Sequence, residues 1–412
     1  MKVIQLSHSD ANGGAARAAY RIHHCLRDAG IDSRMWVNQA LAGDVTVQGP
    51  LNKREKQSAV LRGHVGGLFK HIFKTGNPIM HSPAIFPSRW VKRVNTSDAD
   101  IVHLHWIAEE MLSVADIGRI QKPIVWTLHD MWAFCGAEHL AMDTRWRDGY
   151  RHENRPPYES GFDLNRWTWL RKHKHWQRPI HIVTPSRWLA DCARESKLMH
   201  NWPISMTPNP IDTERWKPIT YELARELLGL PVDVPLLLFG AIGGVSEHHK
   251  GFDLLLRALE HLQGEPHVQG LELVVFGQRT PQSPPRLGFP IHFTGHLHDD
   301  LSLRALYSAA NALVIPSRQD NLPNTGIEAQ ACATPVIAFN IGGLPDIVVH
   351  QQTGYLAKGF DTQDLARGIV WVLAKRKTGR LGKQAREQAV ARFSYPVIAE
   401  KYRQIYEQYE VS

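Results

Sequence analysis

Short apolar runs recur along the chain, and most are followed by a polar or glycine-rich turn and a stretch of helical periodicity. Runs of this length suit strands that are buried on both faces of a parallel sheet. They form two series, one from Val3 to about Asp212 and the other from Leu236 onward. Strands that alternate with helices in two similar halves predict an α/β fold, with two doubly wound Rossmann-like domains facing a cleft.

The domain boundaries are predicted at two interruptions of this pattern. At 412 residues the chain is too long for one ordinary core. The stretch from Pro208 to Pro218 is proline-rich and predicts a linker. We therefore assign residues 1–212 to an N-terminal domain and residues 213–393 to a C-terminal domain. A break at Phe393–Pro396 separates a last helical stretch, residues 394–412.

The stretch from Ala312 to Asn340 carries the clearest candidate chemistry. Its pattern predicts a strand, a polar loop, a helix of small residues from Gly326 to Ala333 and a second strand. Asn324 and Thr325 stand where the N-cap of that helix is expected. A helix that begins just past the carboxyl end of a strand directs free amide groups and a partial positive charge toward a ligand there, which suits phosphate.

Three charged side chains accompany this helix in the second half. The carboxylates of Asp320 and Glu328 could each accept hydrogen bonds from the vicinal hydroxyls of a sugar. Taken singly, they are more simply interpreted as a solvated loop acid and as a charge that complements the helix dipole. Lys250 precedes Gly251 at another helix start, where a point charge beside free amides suits a diphosphate. A lone loop lysine, however, usually faces solvent.

Together these residues resemble a known family signature. An acid, seven residues, Glu-Ala and a small-residue helix ending in Thr-Pro-Val-Ile-Ala are similar to the donor-site motif of the retaining glycosyltransferases of family 4, glycosyl transferases group 1. The resemblance implies the GT-B fold, with the acceptor on the first domain, the donor on the second and the last helix crossing back to the first. The first acid of the motif is usually Glu and here is Asp320. An arginine common after the preceding strand is replaced by Ala241-Ile-Gly243, which leaves open whether activity is lowered.

The resemblance also implies roles for individual residues. In the second half, Lys250 and Gly251 would contact the leaving diphosphate with the amides at Asn324 and Thr325. Glu328 would bind the ribose, Asp320 a sugar hydroxyl, and the backbone at Leu297 the edge of the base.

The first half would complete this set with three residues. Gly13 and Gly14 lie between a predicted strand and helix and would face the donor phosphates, although a Gly-Gly pair is most simply a turn. His129 follows a predicted strand and would approach a donor hydroxyl. No protein nucleophile is needed if the leaving phosphate takes the acceptor proton. We expect no metal and no cofactor beyond the nucleotide-diphosphate sugar, because no aspartate pair with metal-ligand spacing stands out.

Residues 132–177 are unusually rich in Trp, Tyr and Phe, interleaved with Arg, His and Asp. Flat aromatic faces with polar neighbours are suited to stacking on sugar rings, which makes this insert a candidate for acceptor binding. The same composition would also provide an insert with a small core of its own. The sequence leaves both interpretations open.

The stretch from Asn52 to Lys74 is basic and has apolar residues at near-helical spacing. Such a helix can lie on an anionic bilayer, but glycines at 63, 66 and 67 weaken it, and we favour an ordinary surface helix that packs one face on its domain. The net charge of +8 implies anionic partners. Nucleic acid is not expected among them, because no nucleic-acid-binding motif appears.

Other sequence features bound the cellular setting. The four cysteines are far apart and are interpreted as reduced thiols, and His103 and His105 as strand histidines near a cleft rather than metal ligands. No signal peptide or spanning segment is recognised, so we expect a cytoplasmic protein, with the inner face of the membrane as one setting.

The predicted reaction is transfer of a sugar to a glycan or lipid-linked glycan, as in polysaccharide assembly. A nucleotide-sugar epimerase of the same fold and a non-catalytic binding protein are the alternatives. The base, the sugar, the acceptor, the linkage and the oligomeric state are left open.

Overall fold

The computed structural model describes residues 1–68, 73–240, 247–284, 288–297 and 299–409. The chain divides into two compact units. Unit 1 comprises Met1–Pro208 with Ile398–Ser412, and unit 2 comprises Asn209–Val397. The sequence analysis placed the corresponding boundaries at residues 212 and 393.

Unit 1 alternates strands and helices. Its strands are β1 (Lys2–Ser9), β2 (Asp32–Gln39), β3 (Val47–Gln48), β4 (Phe73–Thr75), β5 (Ile101–Leu104), β6 (Ile124–Thr127), β7 (Glu159–Gly161), β8 (His181–Thr184) and β9 (Ile204–Met206). Its helices are α1 (Gly14–Asp28), α2 (Lys53–Leu68), α3 (Trp90–Asn95), α4 (Val114–Gly118), α5 (Arg145–Asp148), α6 (Leu164–His175) and α7 (Arg187–Glu195).

Unit 2 continues the alternation. Its strands are β10 (Leu236–Gly240), β11 (Glu272–Phe276), β12 (Ile291–Gly295), β13 (Ala312–Ile315), β14 (Val336–Phe339) and β15 (Gly354–Ala357). Its helices are α8 (Tyr221–Leu228), α9 (Phe252–Glu260), α10 (Asp300–Ala309), α11 (Asn324–Ala331), α12 (Leu344–Ile347), α13 (Thr362–Ala374) and α14 (Arg380–Phe393). Helix α15 (Tyr395–Glu407) runs from the end of unit 2 into unit 1.

Each unit is built on a parallel sheet with the same plan. The order in unit 1 is β3-β2-β1-β5-β6-β8-β9, and in unit 2 it is β12-β11-β10-β13-β14-β15. In both, the chain builds outward from its first strand in one direction and then returns to build in the other. A crevice therefore opens at the carboxyl ends of β1 and β5 in unit 1 and of β10 and β13 in unit 2, where such sheets bind ligands.

The buried strands confirm the sequence prediction of a doubly wound α/β fold. Every residue of β13 and of β14 is buried, as are those of β5 and β8. Apolar clusters cover both faces of the sheet in unit 2, one including Leu238 and Leu313 and the other Leu237 and Val314. Apolar neighbours on alternating faces are what short strands between two helical layers require.

Two helix predictions need correction. Helix α11 begins at Asn324 and ends at Ala331, with Pro323 at the N-cap and no side-chain cap, whereas the sequence analysis placed Asn324 and Thr325 before a helix of residues 326–333. Proline fixes its own φ, here −63°, and so starts the helix two residues earlier. The sequence between the strands β5 and β6 also predicts a helix from about Glu109 to residue 120, but this segment is mostly irregular and only α4 is helical within it.

The aromatic insert contributes most of its rings to the apolar core of unit 1. Most of its rings are buried, namely Trp132, Phe134, Trp146, Tyr150, Trp169 and Trp176. The ammonium of Lys172 is also buried, donates to the carbonyl oxygens of Trp132, Cys135 and Gly136, and lies 3.8 Å from the Trp132 ring centroid. Buried rings do not offer faces to a sugar, so the burial favours a packing role over acceptor binding, although the rings join the core of unit 1 rather than a separate one.

The insert also forms hydrogen bonds with the backbone of residues 80–84. Ser82 N donates to Ala137 O over 2.7 Å, and His139 N donates to Met80 O over 3.0 Å. The guanidinium of Arg171 donates to the carbonyl oxygens of Pro83 and Ala84, each over 2.7 Å. These bonds fix the backbone of a segment that has no strand or helix of its own.

His103 in β5 and His105 just after it are buried and hydrogen-bonded within unit 1. His103 bonds Tyr406 OH over 2.6 Å and Thr127 Oγ1 over 2.8 Å, while His105 bonds Gln5 Oε1 over 2.7 Å. Burial lowers the pKa of both imidazoles well below the usual value, so they are neutral. The four cysteines are free and buried.

The basic helix α2 does not pack an apolar face on unit 1 as expected. Gly66 is its one buried residue in the described range, whereas Val60, Leu61 and Leu68 are exposed. Ile72, part of the predicted apolar pattern, lies outside the described residues, as does Lys70. In the described part of the chain, no helix is both long and apolar enough to cross a membrane.

Candidate functional site

Lys250 and Asp320 form an ion pair in the crevice of unit 2. Lys250 ends a 3-10 helix, His248–Lys250, that follows β10, and Asp320 lies in the loop after β13. The Nζ of Lys250 is 2.7 Å from Oδ2 of Asp320, and Ser317 Oγ donates to the same oxygen over 3.1 Å. Both side chains of the ion pair are partly exposed, 27% for the lysine and 13% for the aspartate. The pair therefore stands where the strand order reverses, within reach of a ligand.

The loop of Lys250 is held against the end of β13. Gly251, at the N-cap of α9, has φ +69°, and a Cβ there would overlap the carbonyl oxygen of Pro316. Arg318 N donates to His249 O over 2.8 Å. The guanidinium of Arg318 donates to both carboxylate oxygens of Asp253, at 2.7 and 2.6 Å. The Arg318 hydrogen bonds lower the pKa of Asp253. Only glycine allows so close an approach in this conformation. The packing of the loop therefore requires a glycine at residue 251, independently of any contact with a ligand.

The loop of Asp320 is fixed on its other side by residues after β14. Gly343 N donates to Asp320 O over 3.0 Å. Gly342 has φ +53°, and a Cβ there would overlap the same carbonyl oxygen. The backbone of Asp320 is therefore clamped between neighbouring loops, so its carboxylate is presented in a defined position.

Glu328 is buried in α11, with an exposed fraction of 2%. Tyr307 OH donates to its Oε2 over 2.9 Å. The tyrosine is also fully buried and packs edge-on against Phe276. A carboxylate is rarely buried without a partner, and here the Tyr307 hydroxyl supplies one while the charge still lies in the first turns of α11.

The start of α11 carries the next two predicted residues. Asn324 and Thr325 are partly buried in its first turn, and Asn209 Nδ2 donates to Asn324 Oδ1 over 3.0 Å. Leu297 follows β12 and packs against the apolar cluster that contains Tyr307. The position at Ala241, where the expected arginine is missing, lies outside the described residues.

Three predicted residues belong to unit 1. Gly13 is the N-cap of α1 with φ +91°, and Gly14 is the first, exposed residue of that helix. His129 follows β6, is partly buried, and its Nε2 lies 3.3 Å from His105 Nδ1. Burial lowers the pKa of His129 to about 4, against the opposing effect of Asp130. At neutral pH its imidazole is uncharged and able to donate or accept a hydrogen bond.

Asp130, which follows His129, has a structural role. Its Oδ2 accepts from Trp106 Nε1 at 3.0 Å and bonds His139 Nδ1 at 2.5 Å, and its Oδ1 accepts from Trp132 N at 2.9 Å. Burial would raise its pKa, but the charge and hydrogen bond of His139 outweigh this, with help from Trp132 and Trp106, and the pKa is lowered.

Several residues that shape the site in unit 2 were not predicted from the sequence. They are Ser317, Arg318, Tyr307 and Asn209. The first two stand in the same polar loop as Asp320, a signal that was available. Tyr307 and Asn209 are distant in sequence from the groups they bond, and no local pattern marks them.

Sequence models of two related families cover most of the chain. The model of Glycosyltransferase Family 4 matches residues 12–215, and that of Glycosyl transferases group 1 matches residues 237–375. The second match includes the Lys250–Asp320 pair and Glu328. The chain belongs to the group 1, family 4 glycosyltransferases.

Curated relatives and solved structures agree with this family. The D-inositol 3-phosphate glycosyltransferase 2 of Catenulispora acidiphila is 32% identical over 220 residues, which are 48% of this chain and 49% of the relative. This glycosyltransferase chain thus spans about half the length of the curated relatives it matches.

Two solved structures show the same fold over nearly the whole chain. A sucrose-phosphate synthase from Thermosynechococcus elongatus has a TM-score of 0.65 at 20% identity, covering 99% of both chains. Anabaena HepE in complex with UDP-glucose has a TM-score of 0.66 at 16% identity, covering 99% of this chain and 100% of the other. The predicted GT-B fold is therefore confirmed for this family member.

Proposed function

We propose that this chain transfers a sugar from a nucleotide-diphosphate sugar to a hydroxyl acceptor, with retention of configuration at the anomeric carbon. One observation carries the proposal: Lys250 and Asp320 pair at 2.7 Å where the strand order of unit 2 reverses. An anion-binding group and a hydroxyl-binding group stand side by side at the position where α/β sheets bind ligands.

Lys250 would stabilise the departing diphosphate. An ammonium group has three donors, and Asp320 takes one of them. The other two donors remain available to oxygens of the diphosphate. The first turn of α11, at Asn324 and Thr325, and the Gly251 turn would add backbone amides and a positive dipole end.

Carboxylates and a neutral imidazole would hold the sugars. Among the described residues, Asp320 Oδ1 accepts no hydrogen bond, which suits it to a sugar hydroxyl. Glu328, oriented by Tyr307, would take the ribose hydroxyls. His129, neutral at pH 7, would bond a donor hydroxyl, and Gly13 and Gly14 would face the phosphates. The backbone at Leu297 would hold the base.

The reaction needs no protein nucleophile. The bond between the anomeric carbon and the diphosphate oxygen breaks, the acceptor oxygen bonds to the same carbon on the same face, and its proton passes to the departing phosphate. Lys250 lowers the free energy of the negative charge that develops on that phosphate. No divalent cation is required in this scheme.

A solved neighbour narrows the choice of donor to test. One solved neighbour is a complex with UDP-glucose, so UDP is the first nucleotide to test.

We assign the reaction to glycan or polysaccharide assembly at the cytoplasmic face of a membrane. Exposed apolar side chains at Leu41, Val45, Leu51, Val60 and Leu61 stand among Lys53, Arg54 and Lys56, a surface that suits anionic lipid. Sedimentation with anionic but not with zwitterionic vesicles tests this contact.

The function is tested in two stages. A thermal-shift panel of UDP, GDP, ADP and dTDP identifies the nucleotide, because a ligand at 100 times its Kd stabilises the fold by about 2.7 kcal/mol. The matching nucleotide sugar is then incubated with acceptors in the presence of a chelator, and the product anomer is assigned by NMR.

Each failure has a distinct meaning. Absence of any nucleotide shift overturns the donor site. Conversion of the donor without acceptor would identify an epimerase, and tight binding without turnover a non-catalytic protein. Strict dependence on a metal would refute the metal-free scheme.

A further inference from the structure

A cavity of about 660 Å³ lies within unit 1, at the carboxyl ends of β1 and β2. Its wall combines the ends of these strands, α2, residues 80–83 and the turn at Glu109 and Glu110. That turn follows β5, the strand next to β1, so the cavity stands where the strand order of unit 1 reverses. Its volume is in the range of small-molecule sites.

The Glu109–Glu110 turn is held in a strained conformation. Both residues have positive φ, 54° and 57°, a conformation that is strained at a residue other than glycine. Glu110 Oε2 accepts from the amides of Ile85 and Phe86 at 2.6 and 2.8 Å. Gly66 of α2 packs so closely that a Cβ would lie 2.5 Å from Glu110 Cγ. Strain of this kind is often retained where it serves binding.

Three buried side chains of the wall carry polar atoms that need partners. Among the described residues, His8 Nδ1, Asn38 Nδ2 and Glu110 Oε1 have no hydrogen-bond partner. A buried polar group without a partner destabilises the fold, so a ligand that supplies the missing hydrogen bond is favoured. An amide donor, an imidazole and a carboxylate together match hydroxyl groups, which both donate and accept.

The charges of the wall disfavour an anion. Glu109 Oε2 lies 3.1 Å from His8 Nε2, and Glu110 stands beside it. Lys56 supplies one cation, and His64 and His81 add imidazoles. A phosphate in this cavity would meet two carboxylates, and repulsion between like charges grows as water is excluded.

The remaining wall is apolar and continues onto the surface. Ala59, Val60, Met80 and Pro83 line the cavity. Val60 and Leu41, which is also in the wall, are 52% and 61% exposed and belong to the apolar and basic surface of residues 41–68. A ligand with a polar head and an apolar extension would match this arrangement, with its head at the polar groups of the cavity and its extension along the apolar surface.

We propose that this cavity is the acceptor site and that it takes an uncharged glycoside carried on an apolar chain, with Glu109 and Glu110 selecting against phosphorylated sugars. The inference rests on the proposed function and names its acceptor class. It differs from the D-inositol 3-phosphate in the names of the matched relatives.

Binding to the full-length protein is measured first, without donor, so that the result does not depend on turnover. Saturation-transfer NMR and calorimetry compare octyl glucoside below its micelle concentration with glucose and with glucose 6-phosphate. We expect the octyl glycoside to bind at least about 10-fold more tightly than glucose, since its chain buries apolar surface. The phosphate should bind more weakly than glucose.

Two pairs of variants locate the site. Ala59→Phe places a ring on the cavity side of α2 and should weaken octyl glucoside at least about 10-fold, whereas Gln57→Phe, on the same helix but outside the wall, should not. Glu109→Gln should narrow the preference for glucose over glucose 6-phosphate. Glu195→Gln, an exposed acid paired with Arg147 elsewhere in unit 1, should leave that preference unchanged.

The outcomes separate this inference from the proposed function. Equal binding of the octyl glycoside and glucose, preference for the phosphate, or equal effects of the two Phe variants would overturn the acceptor assignment. Binding as expected, with no transfer from any nucleotide sugar to octyl glucoside or to other glycosides, would overturn the proposed transferase instead.

Discussion

The Nζ of Lys250 and the Oδ2 of Asp320 are 2.7 Å apart, although the residues belong to separate loops that follow β10 and β13. The two groups were expected to contact different parts of a donor, one the phosphate and the other a sugar. We therefore expect substitution of Lys250 to weaken diphosphate binding, and substitution of Asp320 to leave it unchanged or to strengthen it. Substitutions in an ion pair that only supported the fold would not have these different effects.

Replacing Lys250 by alanine should weaken nucleoside diphosphate binding about 10-fold and lower turnover about 100-fold, because the cation that neutralises the leaving group is lost. Calorimetry and released diphosphate measure the two effects. Lys383→Ala, a 79% exposed lysine of the same unit, is the control and should change neither. An unchanged affinity in Lys250→Ala would contradict the assigned role.

Replacing Asp320 by asparagine should leave diphosphate affinity as strong as in the wild type or stronger, since the competing carboxylate is gone. Turnover of the nucleotide sugar should fall about 100-fold, because the charged hydrogen bond to the sugar is lost. The same two assays apply. A weakened diphosphate affinity would mean that the carboxylate mainly positions the lysine.

Gly251→Ala should destabilise the chain by more than the 1–2 kcal/mol that a left-handed alanine costs, because its Cβ would also overlap Pro316 O. Gly379→Ala is a matched control, since Gly379 also has positive φ at a helix N-cap but has open space around it. Urea unfolding measures the difference. Equal losses in the two variants would contradict the packing argument.

Glu328→Gln should weaken binding of a nucleoside diphosphate about 10-fold but leave inorganic pyrophosphate unaffected, because only the former carries a ribose. Competition between the two ligands gives both affinities in one assay. Glu387→Gln, a 62% exposed acid of unit 2, is the control. Equal loss for both ligands would indicate that Glu328 supports the fold rather than the ribose.

The stability of unit 1 should depend on pH through His23. This buried imidazole bonds Ser33 Oγ at 2.9 Å and Thr46 Oγ1 at 2.8 Å, and burial, with the nearby His24 and Arg27, lowers its pKa to about 3. Between pH 6.5 and about 3, His23 binds a proton more readily in the unfolded chain than in the folded one. The contribution of His23 to the free energy of unfolding therefore falls as the pH drops. At pH 5 the loss is roughly 2 kcal/mol.

Urea unfolding at pH 7 and pH 5 measures this effect. The wild type should lose more stability over that interval than His23→Asn, which has no group to protonate at this site. His152→Asn, at an exposed position, should behave like the wild type. Equal pH dependence in the wild type and His23→Asn would exclude the proposed proton uptake.

Much of the fold could be predicted from local pattern. The buried strands around Ala312–Ile315 and Val336–Phe339 are marked by short apolar runs, and the pairing of strand, loop and helix places Asp320 and Lys250 at strand ends. The start of α11 was misplaced because Asn324 and Thr325 were assigned to the N-cap for their polar side chains, whereas Pro323 occupies that position without a side-chain cap.

What could not be predicted depends on contacts distant in sequence. The Tyr307–Glu328 hydrogen bond and the approach of Gly66 to Glu110 join residues with no common local pattern. For the same reason, the glycines of α2 were interpreted as helix weaknesses, whereas Gly66 allows the close packing on a strained turn. The cavity beside that turn has no sequence signature either, because its wall is built from six segments that are separate in the sequence.

Residues 80–84 are bonded along their backbone to the aromatic insert, and residues 80–83 form one wall of the cavity in unit 1. Substitutions inside the insert can therefore move that wall without replacing any group that touches a ligand. Among homologues, this would let the insert change acceptor preference while the donor half stays constant. Exchanging the whole segment between relatives would be a more direct route to a new preference than point mutation of the wall.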